Sequence, residues 1–338
     1  MINLKSQQFI LLKRPMGIPT ESDFGFKEVK LNSELKENEV RLHGLDYSVD
    51  PYMRGRMNDS KSYIDPFQLN HPIDGSVVAR VVESENVKLK VGDLVVGQLP
   101  WQTEMIVSSD RVHKIETTED LASRYLGILG MTGLTAYFGL LKIGEPKAGE
   151  TVLISGAAGA VGTVVGQIAR IKGCKVVGIV GSDEKAKVLK DQYGFETLIN
   201  YKTSKDLARD IREKCPQGVD VFFDNVGGEI SDAVIKHINN HGRIVVCGQI
   251  ALYNAMDVPM GPRIQPLLLT RSMLMRGFIV SQYQEQFPEG IAELSKWLAE
   301  GKLKSSETVV EGFEKLPEAF IGLFSGKNIG KMIVKTTE

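Results

Sequence analysis

The stretch Thr151-Val-Leu-Ile-Ser-Gly156-Ala-Ala-Gly159-Ala-Val-Gly162 carries the strongest chemical signal in this 338-residue chain. An apolar run feeds a glycine-rich turn, and beyond it Val161, Val164, Val165, Ile168 and Ile171 share one helical face. Glycine in such a turn lets the backbone approach a pyrophosphate. The anion's charge then rests on free amides and on the positive end of the helix. The spacing is G-x-x-G-x-x-G, with Ala157 standing where the usual G-x-G-x-x-G fingerprint has its first glycine. Gly162 and Gly166, four apart, let the helix press closely onto a sheet. The turn follows a strand, opens a helix and begins an alternating series, which is the context a dinucleotide site requires.

Which dinucleotide fits depends on the end of the next strand, about 20 residues on, where an acidic side chain would bond a ribose 2′-hydroxyl. Strand Val176–Val180 ends in Gly181-Ser182-Asp183-Glu184-Lys185. Glycine and serine take the strand-end position, and Lys185 and Lys187 lie within reach of a 2′-phosphate. The pattern favours NADP. Asp183 and Glu184 leave NAD open, although both suit the first turn of a helix.

Other candidates are weaker. Tyr201 and Lys205 have the spacing of a Tyr/Lys catalytic pair but lie midway through the alternating series, so they read as coincidence. His237 and His241, four apart, could form a helical metal pair, but Asn239, Asn240 and Gly242 mark a helix end there. Gly144 and Gly149 are spaced like phosphate-loop glycines without the Lys-Ser/Thr pair, so they form a turn before a strand. Cys247, flanked by apolar residues, lines the core or the cofactor pocket. With only Cys174 and Cys215 besides it, and no C-x-x-C, neither a disulfide framework nor a zinc ribbon is available.

The elements that must hold these residues fall into two textures. The first 120 or so residues hold short strands (Glu39–His43, Gly75–Val82, Asp93–Gln98) between Pro, Gly and Asn/Asp turns, as in a small barrel or sandwich. From there strand and helix alternate through Thr151–Ser155, Lys175–Val180, Asp183–Tyr193, Thr197–Asn200, Lys205–Lys214, Asp220–Asp224, Glu229–Asn239 and Arg243–Cys247. This predicts an α/β unit whose parallel sheet is covered on both faces. Leu274–Val280 and the helix Pro288–Glu300 close it, and the tail Ser306–Glu338 reads as strand-like and rejoins the first domain. The expected boundaries are 1–125 with 305–338 for one domain and 126–304 for the other.

Forty-one Lys and Arg against 42 Asp and Glu leave a net charge of −1, which offers no field to attract nucleic acid or an anionic membrane. The apolar run in Met1–Pro15 is too short for a signal sequence, and no stretch reaches about 18 apolar residues. A cytoplasmic location is the simplest expectation.

Several blocks together identify a family. Ser48-Val-Asp-Pro-Tyr-Met-Arg-Gly-Arg-Met57, Gly130-Met-Thr-Gly-Leu-Thr-Ala-Tyr-Phe138, Gly156–Gly162, Phe223-Asp-Asn-Val-Gly-Gly-Glu229 and Asn328-Ile-Gly-Lys-Met-Ile-Val334 resemble the zinc-independent medium-chain dehydrogenase/reductases. The nearest branch holds the prostaglandin, alkenal/alkenone double-bond and curcumin reductases. The resemblance implies a GroES-like β-rich catalytic domain and a Rossmann domain with a doubly wound parallel sheet. It implies no metal site, and no Cys precedes Cys174 to build the zinc site of the metal-dependent cousins.

Carried over residue by residue, the resemblance puts Gly159, Ala160, Val161 and Gly162 at the pyrophosphate of NADP, and Lys185 and Tyr201 near its 2′-phosphate. It puts Asn225, Cys247 and Tyr253 in the crevice at the sheet's C-terminal edge, Phe278, Ile279 and Val280 beside the nicotinamide, and Asn328 reaching in from the tail. Tyr52, Tyr63 and Trp101 are similar in placement to substrate-cleft aromatics. Leu252 departs from the Ser or Thr that often precedes the tyrosine matched by Tyr253. The activity implied is hydride transfer from NADPH to the β-carbon of an α,β-unsaturated ketone or aldehyde, with Tyr253 and then Tyr52 as candidates to stabilise the enolate. A metal-free quinone reductase and a non-catalytic NADPH-binding protein are the alternatives. A small hydrophobic enone or enal is the expected partner, and the resemblance also implies a homodimer.

Overall fold

The computed structural model describes residues 5–32 and 34–336; the opening four residues of the Met1–Pro15 segment and the last two of the tail lie outside them. The chain divides into two compact units. One comprises 1–126, 308–327 and 332–338, the other 127–307 and 328–331.

The first unit is β-rich. Strands β1 (Lys5–Leu11) and β2 (Phe24–Lys30) form a hairpin sheet. Next come β3 (Glu39–Ser48), helix α1 (Met53–Arg56), β4 (Asp74–Ser84), β5 (Leu94–Pro100), β6 (Glu104–Ser108), β7 (Val112–Lys114) and helix α2 (Glu119–Ala122). β3 is the hub of the larger sheet, pairing antiparallel with β4 and β6. Its residues are almost all buried, polar Arg41, Asp46 and Ser48 included.

The second unit opens with α3 (Met131–Gly139) and continues through β8 (Thr151–Ile154), α4 (Ala160–Ile171), β9 (Lys175–Val180), α5 (Asp183–Tyr193), β10 (Thr197–Asn200), α6 (Leu207–Lys214), β11 (Val219–Asp224), α7 (Gly228–Ile235), β12 (Ile238–Val246), α8 (Gln265–Thr270), β13 (Leu274–Gly277) and α9 (Phe287–Ala299). Its sheet is parallel in the order β10-β9-β8-β11-β12-β13, the doubly wound Rossmann order. Helix starts and stops follow local chemistry: Ser182 and Asp206 cap α5 and α6, and Gly194 ends α5 at φ 67°. The apolar stripe of α4 is buried at Val164, Val165 and Ile168.

β14 (Glu307–Glu311), α10 (Leu316–Phe324) and β15 (Lys331–Lys335) form the tail, and β15 from Ile333 onward pairs with β3. Two expectations are corrected here. The tail is not strand-like throughout, because Leu316, Ala319, Phe320 and Leu323 recur at helical spacing and are buried as α10. The helix expected over Glu229–Asn239 ends at Ile235, since Ile238 already pairs with Val219. His237 and His241 therefore do not share a helix, and His241 sits in β12 at φ 60°. Among the described residues no single helix is long and apolar enough to cross a membrane.

Candidate functional site

β8 ends at Ile154, and Ser155 leads into the glycine turn. Gly156 has φ 59°, a conformation that a side chain disfavours. Its carbonyl accepts from Gly159 N–H at 2.9 Å, closing the turn just before α4. A Cβ on Gly162 would overlap that carbonyl, and one on Gly166 would enter the Phe195 ring. These two glycines thus seat α4, Gly162 on the turn itself and Gly166 against the loop after α5. Gly159 is the N-cap of α4 and offers no side chain, so the first amides of that helix have no side-chain cap. α5 and α6, by contrast, are capped by their own side chains. The amides of Ala160, Val161 and Gly162, with no side-chain cap, are the ones this helix start leaves open to an anion.

A strap from the tail lies along the turn. Gly330 N–H donates to the Ala158 carbonyl at 2.8 Å, Gly159 and Gly330 form a parallel bridge, and the Asn328 side chain donates to the Gly330 carbonyl at 2.7 Å. Asn328 is thereby held beside the turn.

At the end of β9, the Tyr201 ring stands 3.2 Å from where a Cβ on Gly181 would be. The half-buried Lys185 shares this corner with Lys202, a residue the sequence reading passed over. Burial and then the Lys202 charge push the Lys185 ammonium below its ordinary range. Neither ammonium has a carboxylate partner among the described residues. Two like charges at one corner, offset only in part by the Glu184 charge, suit a phosphate. Asp183, the acid that left NAD open, instead accepts from Asn200 Nδ2 at 2.8 Å.

Cys247, Tyr253, Phe278 and Ile279 line a cavity of about 390 Å³ at the C-terminal edge of β12 and β13, with Val246 and Gly248. The Tyr253 hydroxyl accepts from Gln249 N–H at 3.2 Å, and its own proton has no acceptor among the described residues. Burial raises its pKa above the ordinary phenol value. The Cys247 thiol is pushed up to about 12, by burial and then by the Asp224 charge. Asn225 donates through Nδ2 to the Ser155 carbonyl at 2.8 Å, tying β11's end to β8's. Val280 packs against the neighbouring core.

In the first unit α1 organises two loops. Arg54 is buried and donates to the Pro15 and Gly17 carbonyls, and Arg56 pairs with Asp74 at 2.8 Å and covers the Phe67 ring at 3.9 Å. Tyr52 and Tyr63 interact electrostatically near Arg56 and Asp74, and burial raises the Tyr52 hydroxyl well above its usual value. Tyr63 is 59% exposed. Trp101 is not a cleft wall: at 0% exposure it is packed against Phe9, Phe24 and Phe320 in the core. Its alternation on β5's continuation points it inward, which the sequence position alone did not disclose. Among the described residues no three His, Cys, Asp or Glu side chains converge to hold a metal ion.

An uncapped glycine turn at the switch point of a doubly wound sheet, with two lysines at the next strand end, defines a protein that binds a phosphorylated dinucleotide. Known families agree with that class. The family model for the N-terminal domain of oxidoreductase matches residues 7–115, and that for zinc-binding dehydrogenase matches 160–296. Prostaglandin reductase 1 of Bos taurus is 45% identical over 340 residues, covering 99% of this chain and 100% of that one. The NADP(+)-dependent 2-alkenal reductase of Nicotiana tabacum is 41% identical over 335 residues, 98% of this chain and 97% of its own. The crystal structure of CurA from Vibrio vulnificus in complex with NADPH superposes with a TM-score of 0.92 at 39% identity, covering 98% of this chain and 99% of that chain. The chain belongs to the zinc-independent medium-chain dehydrogenase/reductases, NADP-dependent oxidoreductases, in the branch of the prostaglandin, alkenal and curcumin reductases.

Proposed function

We propose that this protein reduces the carbon–carbon double bond of α,β-unsaturated ketones or aldehydes. Bound NADPH supplies the hydride, which goes to the β-carbon. The relatives named above as a prostaglandin reductase and a 2-alkenal reductase support this substrate class. The observation that carries it is the Tyr253 hydroxyl, half-buried at the cavity beside Cys247 and Phe278 with its proton uncommitted.

Ala160, Val161 and Gly162 bind the pyrophosphate through their amides, and Gly159, without a side chain, lets it approach. Lys185, Lys202 and Tyr201 take the 2′-phosphate. Asn225, Cys247 and Asn328 border the crevice, and Phe278, Ile279 and Val280 form the apolar wall against which the nicotinamide lies. As the β-carbon is reduced, negative charge grows on the carbonyl oxygen as an enolate. Tyr253 donates a hydrogen bond to that oxygen, and its raised pKa keeps the phenol protonated for the task. Tyr52 is the second donor candidate, and Tyr63 beside it contributes to the aromatic wall of the substrate domain, residues 1–125 with 305–338.

The test is NADPH absorbance followed with an enone, an enal and a quinone at equal concentration, repeated with NADH. Enone and enal turnover with NADPH is expected, and oxidation with the quinone alone would refute the proposal. Tyr253→Phe should lower kcat by roughly 10²-fold, the scale of losing one oxyanion donor; unchanged turnover would remove this residue from the chemistry.

The functional unit in this reading is a homodimer formed through β13. That strand is the outer edge of its sheet, and Leu274 (49% exposed), Leu269 (80%) and Met260 (90%) stand exposed on and near it. An open edge with apolar surroundings is completed by an identical edge about a two-fold axis.

A further inference from the structure

Behind the crevice lies a buried charge that the reaction as proposed does not use. Asp224 ends β11, the strand beside β8 where the sheet order reverses, and is 4% exposed. One carboxylate oxygen accepts from Ser155 Oγ at 2.7 Å and from the Val226 and Gly227 amides at 3.0 Å each. The other accepts from Ser231 Oγ at 2.5 Å. Its main-chain carbonyl takes Cys247 N–H at 2.9 Å and Gly248 N–H at 3.1 Å. No cation pairs with it among the described residues. A buried carboxylate without a counter-ion is costly, and its four side-chain bonds offset that cost.

Those bonds lead into the site from both sides. Ser155 Oγ, oriented by donating to Asp224, accepts Asn225 N–H at 2.9 Å. The turn that follows carries the next segment, since Val226 and Asn225 carbonyls accept from Ala251 N–H at 3.0 Å and Ile250 N–H at 3.4 Å. That segment ends at Tyr253. Resting on the functional reading above, we infer that Asp224 is a positioning residue that sets Asn225 and the Tyr253 hydroxyl relative to the glycine turn. A carboxylate suits this role because it only accepts: all four groups aimed at it are donors. Its charge also adds to burial in holding Tyr253 protonated.

The test compares Asp224→Asn with Asp220→Asn. Asp220 lies at the opposite end of the same strand, where it accepts from Thr151 N–H at 2.8 Å and Asn239 Nδ2 at 2.7 Å, far from the turn. Asp224→Asn keeps the shape but sets an NH₂ among donors. It should lower kcat on an enone about tenfold and raise the KM for NADPH, the scale of one charge-assisted hydrogen bond. The kcat loss should not add to that of Tyr253→Phe in the double variant, because both act through one hydroxyl. Asp220→Asn should change melting temperature while leaving kcat and KM unchanged. If Asp224→Asn does not fold, Ser155→Ala, which removes one hydroxyl, should show the same non-additive loss at smaller size. Folded variants with unaltered kcat and KM, or losses that add fully, overturn the inference alone. Wild-type protein inert toward every enone overturns the functional reading and this inference with it.

Discussion

Lys185 and Lys202 make the case for the cofactor at the level of single side chains. Each ammonium destabilises the other, so a dianion between them relieves a strain that the free protein carries. Binding of a ligand to the folded state alone raises its melting temperature. Adenosine 2′,5′-bisphosphate should therefore raise it more than 5′-AMP does, as read by thermal shift. Lys185→Ala should raise the KM for NADPH about tenfold and leave that for NADH nearly unchanged, since one charge-assisted contact is lost. The pH dependence has a definite sign. The depressed Lys185 pKa means its charge is lost, as pH rises, sooner than an ordinary lysine's, so KM for NADPH should climb on the alkaline side. The placement of Lys185 just past β9 was legible because it is fixed by distance from the glycine turn. Lys202 was not, because the end of β10 meets the end of β9 only through sheet pairing, which no local spacing encodes.

Elements were legible where local chemistry is self-sufficient. β9, α5 and β10 run over the expected residues because each is a short apolar run or a capped helix bounded by turn residues. α10 and the end of α7 were not, since a helix and a strand compete over short apolar segments until packing decides. The glycine turn was read correctly as a close approach, but its reason is more specific than contact with a sheet: the turn's own carbonyl fills the space beside Gly162. Gly162→Ala should therefore cost about 1–3 kcal/mol, because the clash is with backbone and cannot be relieved by a rotamer. Calorimetry should show a melting temperature lowered by several degrees. A melting temperature equal to wild type would mean that the turn yields.

For the molecule as a whole, the open β13 edge predicts an assembly. Light scattering should give twice the chain mass, and Leu274→Lys should shift it toward one chain, because a buried cation at a two-fold contact faces its own copy. The charge balance that argued against nucleic acid carried no information about this edge, since apolar exposure emerges only once the sheet order is known. The three cysteines bear on how such a protein endures its own chemistry. Enones and enals alkylate thiolates, and Cys247 borders the very cavity where they would react. With its pKa pushed up to about 12, this thiol stays protonated near neutral pH. Cys174 and Cys215 are buried and shifted up to about 11. All three thiols are thus held in the less nucleophilic form, which suits a site meant to handle electrophiles.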